Sequence, residues 1–417
     1  MNDYASRDAR LAGPHPHSHP ARRAALACMA VLAVALGVGR FAFTPLLPLM
    51  LHGGALDLRG GGWLASLNYA GYFAGAVSCV ALRLPHARIV RAGLAATVVL
   101  TLAMGLTQQF WLWAIVRFAA GAVSAWAFVF ASQWGLRRLA QLGANEWGGV
   151  IYTGPGFGII ATGLWVSAAG RFGAQVGWLA FGVIGAGLAA LVWRTFGADE
   201  AGAPKPGNGS ATAVASASAH RASASTSTST SPSEPGSRAD AVWLVLLYAV
   251  PGFGYIITAT FLPVIARHAL PGSAWPDLFW PMFGAALIVG AISAARLPLH
   301  WDNRLMLAGC YVLQALGIAL GIVWPNAAGF SFGSLLIGLP FTAITLFAMR
   351  EARALRGEHA AALMGYATAA YGIGQIAGPL VAAPLAASTG SFSPSLWLAA
   401  GALVLGAAGL VWRAARS

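Results

Sequence analysis

The stretch AALACMAVLAVALGVGRFAFTPLLPLML, residues 24–51, decides the fold: twenty-eight consecutive residues carry a single charge, Arg40. Crossing a hydrocarbon layer takes about 20 apolar residues at about 1.5 Å each. Irregular backbone cannot face lipid, so the run must be a membrane-spanning helix. Arg22 and Arg23 precede it as they would in a secretory leader. The run is far longer than a leader's apolar core, however, and no cleavage site closes it, so it reads as an uncleaved first span.

Outward from this stretch, apolar runs recur near 62–82, 88–107, 109–136, 147–170 and 174–196, then near 241–266, 276–295, 304–323, 326–349, 359–387 and 393–413. Of the 417 residues 58% are hydrophobic and only 9% charged. A soluble surface needs about 25% charged residues, so composition and runs agree. Between the two sets of six, the Ala/Ser/Thr tract Ser210–Ser233 has nothing with which to bury apolar surface. The expected organisation is a disordered N-tail over 1–23, a six-helix bundle over 24–196, a disordered linker over 197–239, a second bundle over 240–413 and a short C-tail over 414–417. The fold class is all-α integral membrane.

The formal charge of +13 does not form a stripe along one face, so no nucleic-acid partner is expected. It sorts by side instead. With the N-terminus in the cytoplasm, twenty Lys and Arg fall on the cytoplasmic side, three (Arg59, Arg171, Arg267) fall opposite, and Arg40 and Arg117 lie within spans. That asymmetry places both termini inside. His15, His17 and His19 suit a polar tail better than a metal site, and Cys28, Cys79 and Cys310 fall in apolar runs. No metal or cofactor is expected; the expected partners are the bilayer and a small-molecule substrate, with the chain a monomer.

The two halves repeat one another. Gly39 with Leu47-Pro48 matches Gly254 with Leu262-Pro263 at an offset of 215, and Arg83-Leu84-Pro85 matches Arg296-Leu297-Pro298 at 213. Gly121 matches Gly338 at 217, and Gly149, Gly156 and Gly158 match Gly365, Gly372 and Gly374 at 216. Shared order and spacing are hard to obtain by chance even in a glycine-rich chain. Six helices repeated in one orientation imply two bundles related by an axis along the membrane normal.

That parallel repeat resembles the major facilitator superfamily. Within it, Gly37-Val38-Gly39-Arg40-Phe41-Ala42-Phe43-Thr44-Pro45-Leu46-Leu47-Pro48 and Trp63-Leu64-Ala65-Ser66-Leu67-Asn68-Tyr69-Ala70-Gly71-Tyr72 resemble the bacterial YbfB/YjiJ group. The resemblance covers roughly residues 24–413 apart from the linker. It implies twelve spans in two pseudo-symmetric bundles in the bacterial inner membrane, and transport by alternating access. Arg117-Phe118-Ala119-Ala120-Gly121 resembles the superfamily's RxxxG motif, whose arginine is associated with proton transfer or substrate charge. Gly154-Pro155-Gly156-Phe157-Gly158 resembles the Gly-Pro core of its antiporter motif, with Val150 where a glycine is expected. The loop Arg83–Arg88 lacks the Gly and Asp of the usual gating motif.

Chemistry points to particular side chains. Arg117, Gly121, Ser124, Phe128 and Ser132 recur at helical spacing as one polar and small-residue stripe. Arg40 is followed by Thr44 and by the helix-bending Pro45 and Pro48. Counted along the helices, Arg40 lies about 16 Å and Arg117 about 12 Å below the outer edge, so the two can meet at one cavity. A charge at that depth costs at least about 2.5–3.5 kcal/mol. Either the two guanidinium groups bind an anion, which suits their planar fork, or they tie helices together. All twelve Asp and Glu fall outside the middle of the spans, which favours an anionic substrate over a buried carboxylate proton site. Asn68 and Tyr72 share a face with Gly71 and Gly75; in the second half Tyr248, Tyr255 and Thr258, and Thr368, Tyr371 and Gln375, are candidates to face the cavity. Gly121, Gly154, Pro155 and Gly158 are expected at packing and hinge points.

The expected function is therefore a secondary active or facilitative transporter of a small organic anion. The alternative is a proton-coupled exporter of drugs or metabolites. A membrane-embedded enzyme fits less well, since the middle of the spans holds no histidine or acid and no nucleophile motif. A sensor would carry a folded soluble domain.

Overall fold

The structure, a computed structural model, describes residues 18–197 and 238–416 apart from positions 295, 299, 358 and 359. Nearly all of the expected N-tail and linker therefore lies outside the described residues. The helices are α1 (Ser18–Leu32), α2 (Phe43–His52), α3 (Leu58–Ser78), α4 (His86–Leu106), α5 (Phe110–Gln141), α6 (Gly148–Ile151), α7 (Gly154–Ala169) and α8 (Gly173–Trp193). The second half holds α9 (Arg238–Ala269), α10 (Pro276–Ala294), α11 (Asn303–Val323), α12 (Ala327–Gly338), α13 (Phe341–Arg356), α14 (Ala360–Thr389) and α15 (Ser393–Ala414).

Ten helical stretches are long and apolar enough to cross a membrane, and one of them, Asn145–Phe196, runs for 52 residues. At about 1.5 Å per residue this is more than twice a hydrocarbon core of about 30 Å, so it must supply two passes. The reversal falls at Gly170–Gly173, where Gly173 takes the left-handed φ of 86° that a side chain would resist. The remaining pass is α3, whose Arg59, Asn68 and five glycines make it less apolar than those ten. The described residues thus make twelve passes, with the start of α1 and the end of α15 on one face, called here the termini face.

Three spans differ from simple apolar runs. The first is helical from the first described residue, Ser18, six residues ahead of its apolar stretch, and so takes in Arg22 and Arg23. It then opens into a π-helical turn over Ala33–Val38 and a non-helical step at 39–42 before α2 resumes. The cause is local. Pro45 has no N–H to return to the Phe41 carbonyl, and the Thr44 N–H turns to that carbonyl instead. The span expected over 326–349 is likewise divided at Leu339-Pro340, and the fifth is interrupted before Gly154.

The repeat is visible in the packing. A Cβ on Gly75 of α3 would stand 2.5 Å from the Ala122 carbonyl oxygen of α5; its counterpart on Gly290 of α10 would stand 1.8 Å from that of Leu339. Gly121 approaches the Asn68 carbonyl as Gly338 approaches that of Phe283, and Gly158 lies against Gly37 as Gly374 lies against Gly252. Each pair maps onto the other at the offsets of 215–217 that the sequence carries. The halves meet where α3 packs on α14, where α7 packs on α10, and where α2 packs on α9. The first two contacts exchange under the same repeat.

The C-terminal half is tied at its termini face by charge. Arg304 Nε donates to Glu351 Oε1 at 2.6 Å and Arg304 lies 4.0 Å from Asp240, which also pairs with Arg413. Glu351 is buried, so removing it strands Arg304 in a poorly solvated site. A fully buried pair broken on one side costs about 3–5 kcal/mol. Because Asp240 remains near, Glu351→Ala is expected to cost about 1–3 kcal/mol, and Glu351→Gln less. Thermal unfolding of the purified protein checks this; an unchanged midpoint for Glu351→Ala refutes it.

Candidate transport site

Arg40 projects from the break in the first span towards the second half, where Nη2 donates to Gln375 Oε1 of α14 at 3.1 Å. Its Nε is buried with no partner. The guanidinium carbon sits 4.1 Å from the centre of the Tyr72 ring and 5.1 Å from that of Tyr69. Among the described residues no carboxylate pairs with it. The described acids Asp57, Glu146, Asp240, Asp277, Asp302 and Glu351 lie at or near helix ends. Stacking on π-faces and one neutral acceptor partly replace the lost water of a buried cation.

Gln375 extends the site into the second half by donating Nε2 to Tyr255 Oη at 2.5 Å. The Tyr255 and Tyr371 rings stack with centroids 6.0 Å apart, and Tyr371 stacks on Tyr248 at 4.9 Å. Phe341 meets the Tyr255 ring edge-on. Tyr72 and Tyr371 are half-buried, whereas Tyr248 and Tyr255 are buried. Thr368 is exposed one turn nearer the termini face, and its hydroxyl returns to the Met364 carbonyl. Thr258 is buried with its hydroxyl unpartnered.

Arg117 occupies a different environment, on α5 where that helix packs against the first span. Its Nη1 and Nη2 reach the carbonyls of Gly39 and Arg40, each at 3.4 Å, its Nε reaches that of Leu64 at 3.5 Å, and its Cζ lies 4.6 Å from the Phe43 ring centre. Those of Gly39 and Arg40 are carbonyls that the broken first span exposes, whereas Leu64 belongs to α3. Asn68 Nδ2 donates to the Arg117 carbonyl at 2.8 Å, and Ser124 Oγ returns to Gly121 of its own helix. Thr44 Oγ1 donates to the Ala259 carbonyl across the seam at 3.0 Å. Gly154 and Gly158 of α7 sit against Met29 and Gly37 of the first span, and Pro155 occupies the first turn of α7, where a missing N–H is harmless.

The structure thus gathers Arg40, Tyr72, Gln375, Tyr255 and Tyr371 at one place, and puts Arg117, Asn68 and Ser124 in the packing between α3, α5 and the first span. Ser66, Tyr69 and Thr260 join the halves as well. Ser66 Oγ donates to the Ile376 carbonyl at 2.8 Å, and Tyr69 and Thr260 hydroxyls meet at 2.9 Å, both across the seam. The spacing of Ser66, Tyr69 and Tyr72, three residues each, marks a second polar face of α3 beside the one that carries Asn68. These bonds lie at mid-depth and towards the face opposite the termini. On that opposite side, residues of both halves, among them Leu51, Asp57, His268 and Phe392, line an open pocket of about 410 Å³.

Two six-helix bundles related by a parallel repeat, meeting at a seam with a buried guanidinium, define a major facilitator transporter, a multi-pass membrane protein that handles a small molecule. Within that class the chain belongs to the family described as uncharacterised MFS-type transporter YbfB, whose model matches residues 32–411. The fold is similar to that of the nucleoside transporter NupG, with a TM-score of 0.73 at 14% identity over 93% of this chain and 99% of that one. It is also similar to the human organic anion transporter MFSD10, with a TM-score of 0.59 at 17% identity over 94% and 99%. Identities that low speak to fold alone. A chloramphenicol resistance protein of Streptomyces lividans is 34% identical over 176 residues, which are 38% of this chain and 41% of that protein.

Proposed function

We propose that the protein carries a small organic anion across the bacterial inner membrane by alternating access, with both termini in the cytoplasm and Arg40 as the charge that receives the solute. One observation carries this reading: Arg40 is held at the seam with Nη2 on a neutral amide and the adjacent Nε without a partner. Those two nitrogens form one edge of the guanidinium fork. A carboxylate offers two oxygens to that edge, where the Gln375 amide offers one, and bidentate pairing is the stronger arrangement. Arg117 differs because its donors already serve backbone carbonyls, and we assign it to holding the broken span.

Binding at Arg40 displaces Gln375 Oε1 and loosens a bond between the halves, which couples occupancy to their relative movement. The absence of an acid at mid-depth among the described residues fits exchange or facilitated diffusion. A second reading, export of neutral or cationic drug-like compounds by proton antiport, is favoured by the partial match to a chloramphenicol resistance protein. The aromatic walls suit it as well.

Ligand-dependent thermal stabilisation of purified protein over a panel of small anions, cations and neutral drugs separates the two. An anion at about 100 times its Kd stabilises the folded state by about 2.7 kcal/mol. Arg40→Ala is expected to lose that stabilisation entirely. Equal stabilisation of the variant removes Arg40 from the site, and stabilisation only by cations or neutral compounds moves the assignment to the second reading.

A further inference from the structure

Resting on the reading of Arg40 as the anion site, we infer that the solute is an aromatic carboxylate, its carboxylate on the Arg40 edge now facing Gln375 and its ring among Tyr72, Tyr255 and Tyr371. The juxtaposition is specific. The Arg40 guanidinium lies 4.1 Å from the Tyr72 ring centre on the N-terminal side of the seam. On the C-terminal side, Gln375 connects that guanidinium directly to Tyr255, whose ring opens the stacked series Tyr255, Tyr371 and Tyr248.

The interplanar angles in that series are 21° and 26°, so flat faces are presented close to parallel. A flat ring can extend such a stack by offset stacking, whereas a puckered aliphatic ring of the same volume meets it poorly. Arg40 is 6% exposed and its Nε has no partner, so the polar end of the site is built and incomplete. Tyr72 and Tyr371 are half-buried, so they are the rings of this group that a ligand can reach. An aliphatic acid would satisfy Arg40 and leave these faces unused. A neutral aromatic would use the faces and leave the Nε unpaired.

The test compares benzoate, cyclohexanecarboxylate, hexanoate and benzamide as stabilisers of the purified full-length protein, with apparent Kd read from concentration series. Benzoate is expected to bind about fivefold tighter than cyclohexanecarboxylate, the size of one aromatic contact. Benzamide, with the ring and no charge, is expected to give no shift. Tyr72→Leu should erase the preference for benzoate over cyclohexanecarboxylate, and Tyr72→Phe should keep it. Equal affinity for benzoate and cyclohexanecarboxylate in the unaltered protein overturns the aromatic assignment while the anion reading stands. Stabilisation by benzamide as strong as by benzoate overturns the anion reading itself. The comparison in the unaltered protein decides between these even if a Tyr72 variant fails to fold.

Discussion

Gly71→Ala is expected to cost more than about 3 kcal/mol and to remove most of the folded protein, the upper end of what overpacking does. A Cβ at Gly71 would stand 1.9 Å from the Phe118 carbonyl oxygen, and one at Gly121 would stand 2.0 Å from that of Asn68. Both obstacles are backbone, so no side chain can swing aside. The helices α3 and α5 would have to separate by more than an ångström, and a gap of about 0.5–1 Å already forfeits a quarter to a half of each dispersion contact along an interface. In a bilayer this loss is not offset by a hydrophobic term, because lipid tails are as apolar as the helix surfaces. Gly187→Ala supplies the contrast, since nothing lies within 4 Å of a Cβ there. At an open helical position alanine is worth about 0.5–1 kcal/mol over glycine, so that variant should be neutral or slightly more stable. Size-exclusion profiles after stepwise heating report both. If Gly71→Ala and Gly187→Ala elute alike at all temperatures, α3 and α5 are not packed backbone to backbone.

Much of this arrangement is legible in the sequence for a physical reason: in lipid, polarity and glycine are both conspicuous. Arg40, Thr44, Tyr72, Tyr255, Tyr371 and Gln375 stand out against apolar runs, and depth counted at about 1.5 Å per residue brings Arg40 and Arg117 to one level. Arg117 does reach the backbone carbonyl of Arg40. Depth says nothing, however, about where donors point. Arg117 turns to the first span because π-helical winding and Pro45 leave carbonyls unserved there, and winding of that kind has no residue signature. The pairing of Arg40 with Gln375 joins residues 335 positions apart and is set by how the two bundles lean together. The repeat offsets predict which glycines correspond, and the packing of Gly75 and Gly290 follows them. They do not predict the seam, because a repeat describes each half and leaves the contact between halves open. The bonds of Ser66, Tyr69 and Thr260 escaped for that reason: their partners lie on the other half.

Arg117→Ala is expected to destabilise the protein by about 3–5 kcal/mol, comparable with breaking a buried ion pair. The side chain is 2% exposed and serves the carbonyls of Leu64, Gly39 and Arg40 while lying over Phe43. Removing it leaves the Gly39 and Arg40 acceptors in a site that water enters only at a cost, each worth about 1–3 kcal/mol when unpaired. It also opens a cavity the size of a long side chain between α3, α5 and α2. The three bonds are long, 3.4–3.5 Å, so the estimate stays below a simple sum of full penalties. Arg117→Lys should recover only part of the loss, because an ammonium is a compact point charge and cannot spread three donors in the plane of a guanidinium. The first span is the element that should yield, since its step at 39–42 depends on these donors. Hydrogen exchange at Phe41–Thr44 should therefore quicken in Arg117→Ala well below the unfolding temperature, while exchange in α9 and α14 stays as it was. A variant as stable as the unaltered protein, but unable to respond to anions, would instead make Arg117 a substrate ligand. Loss of stability without any ligand present keeps it as the brace that lets Arg40 face the seam.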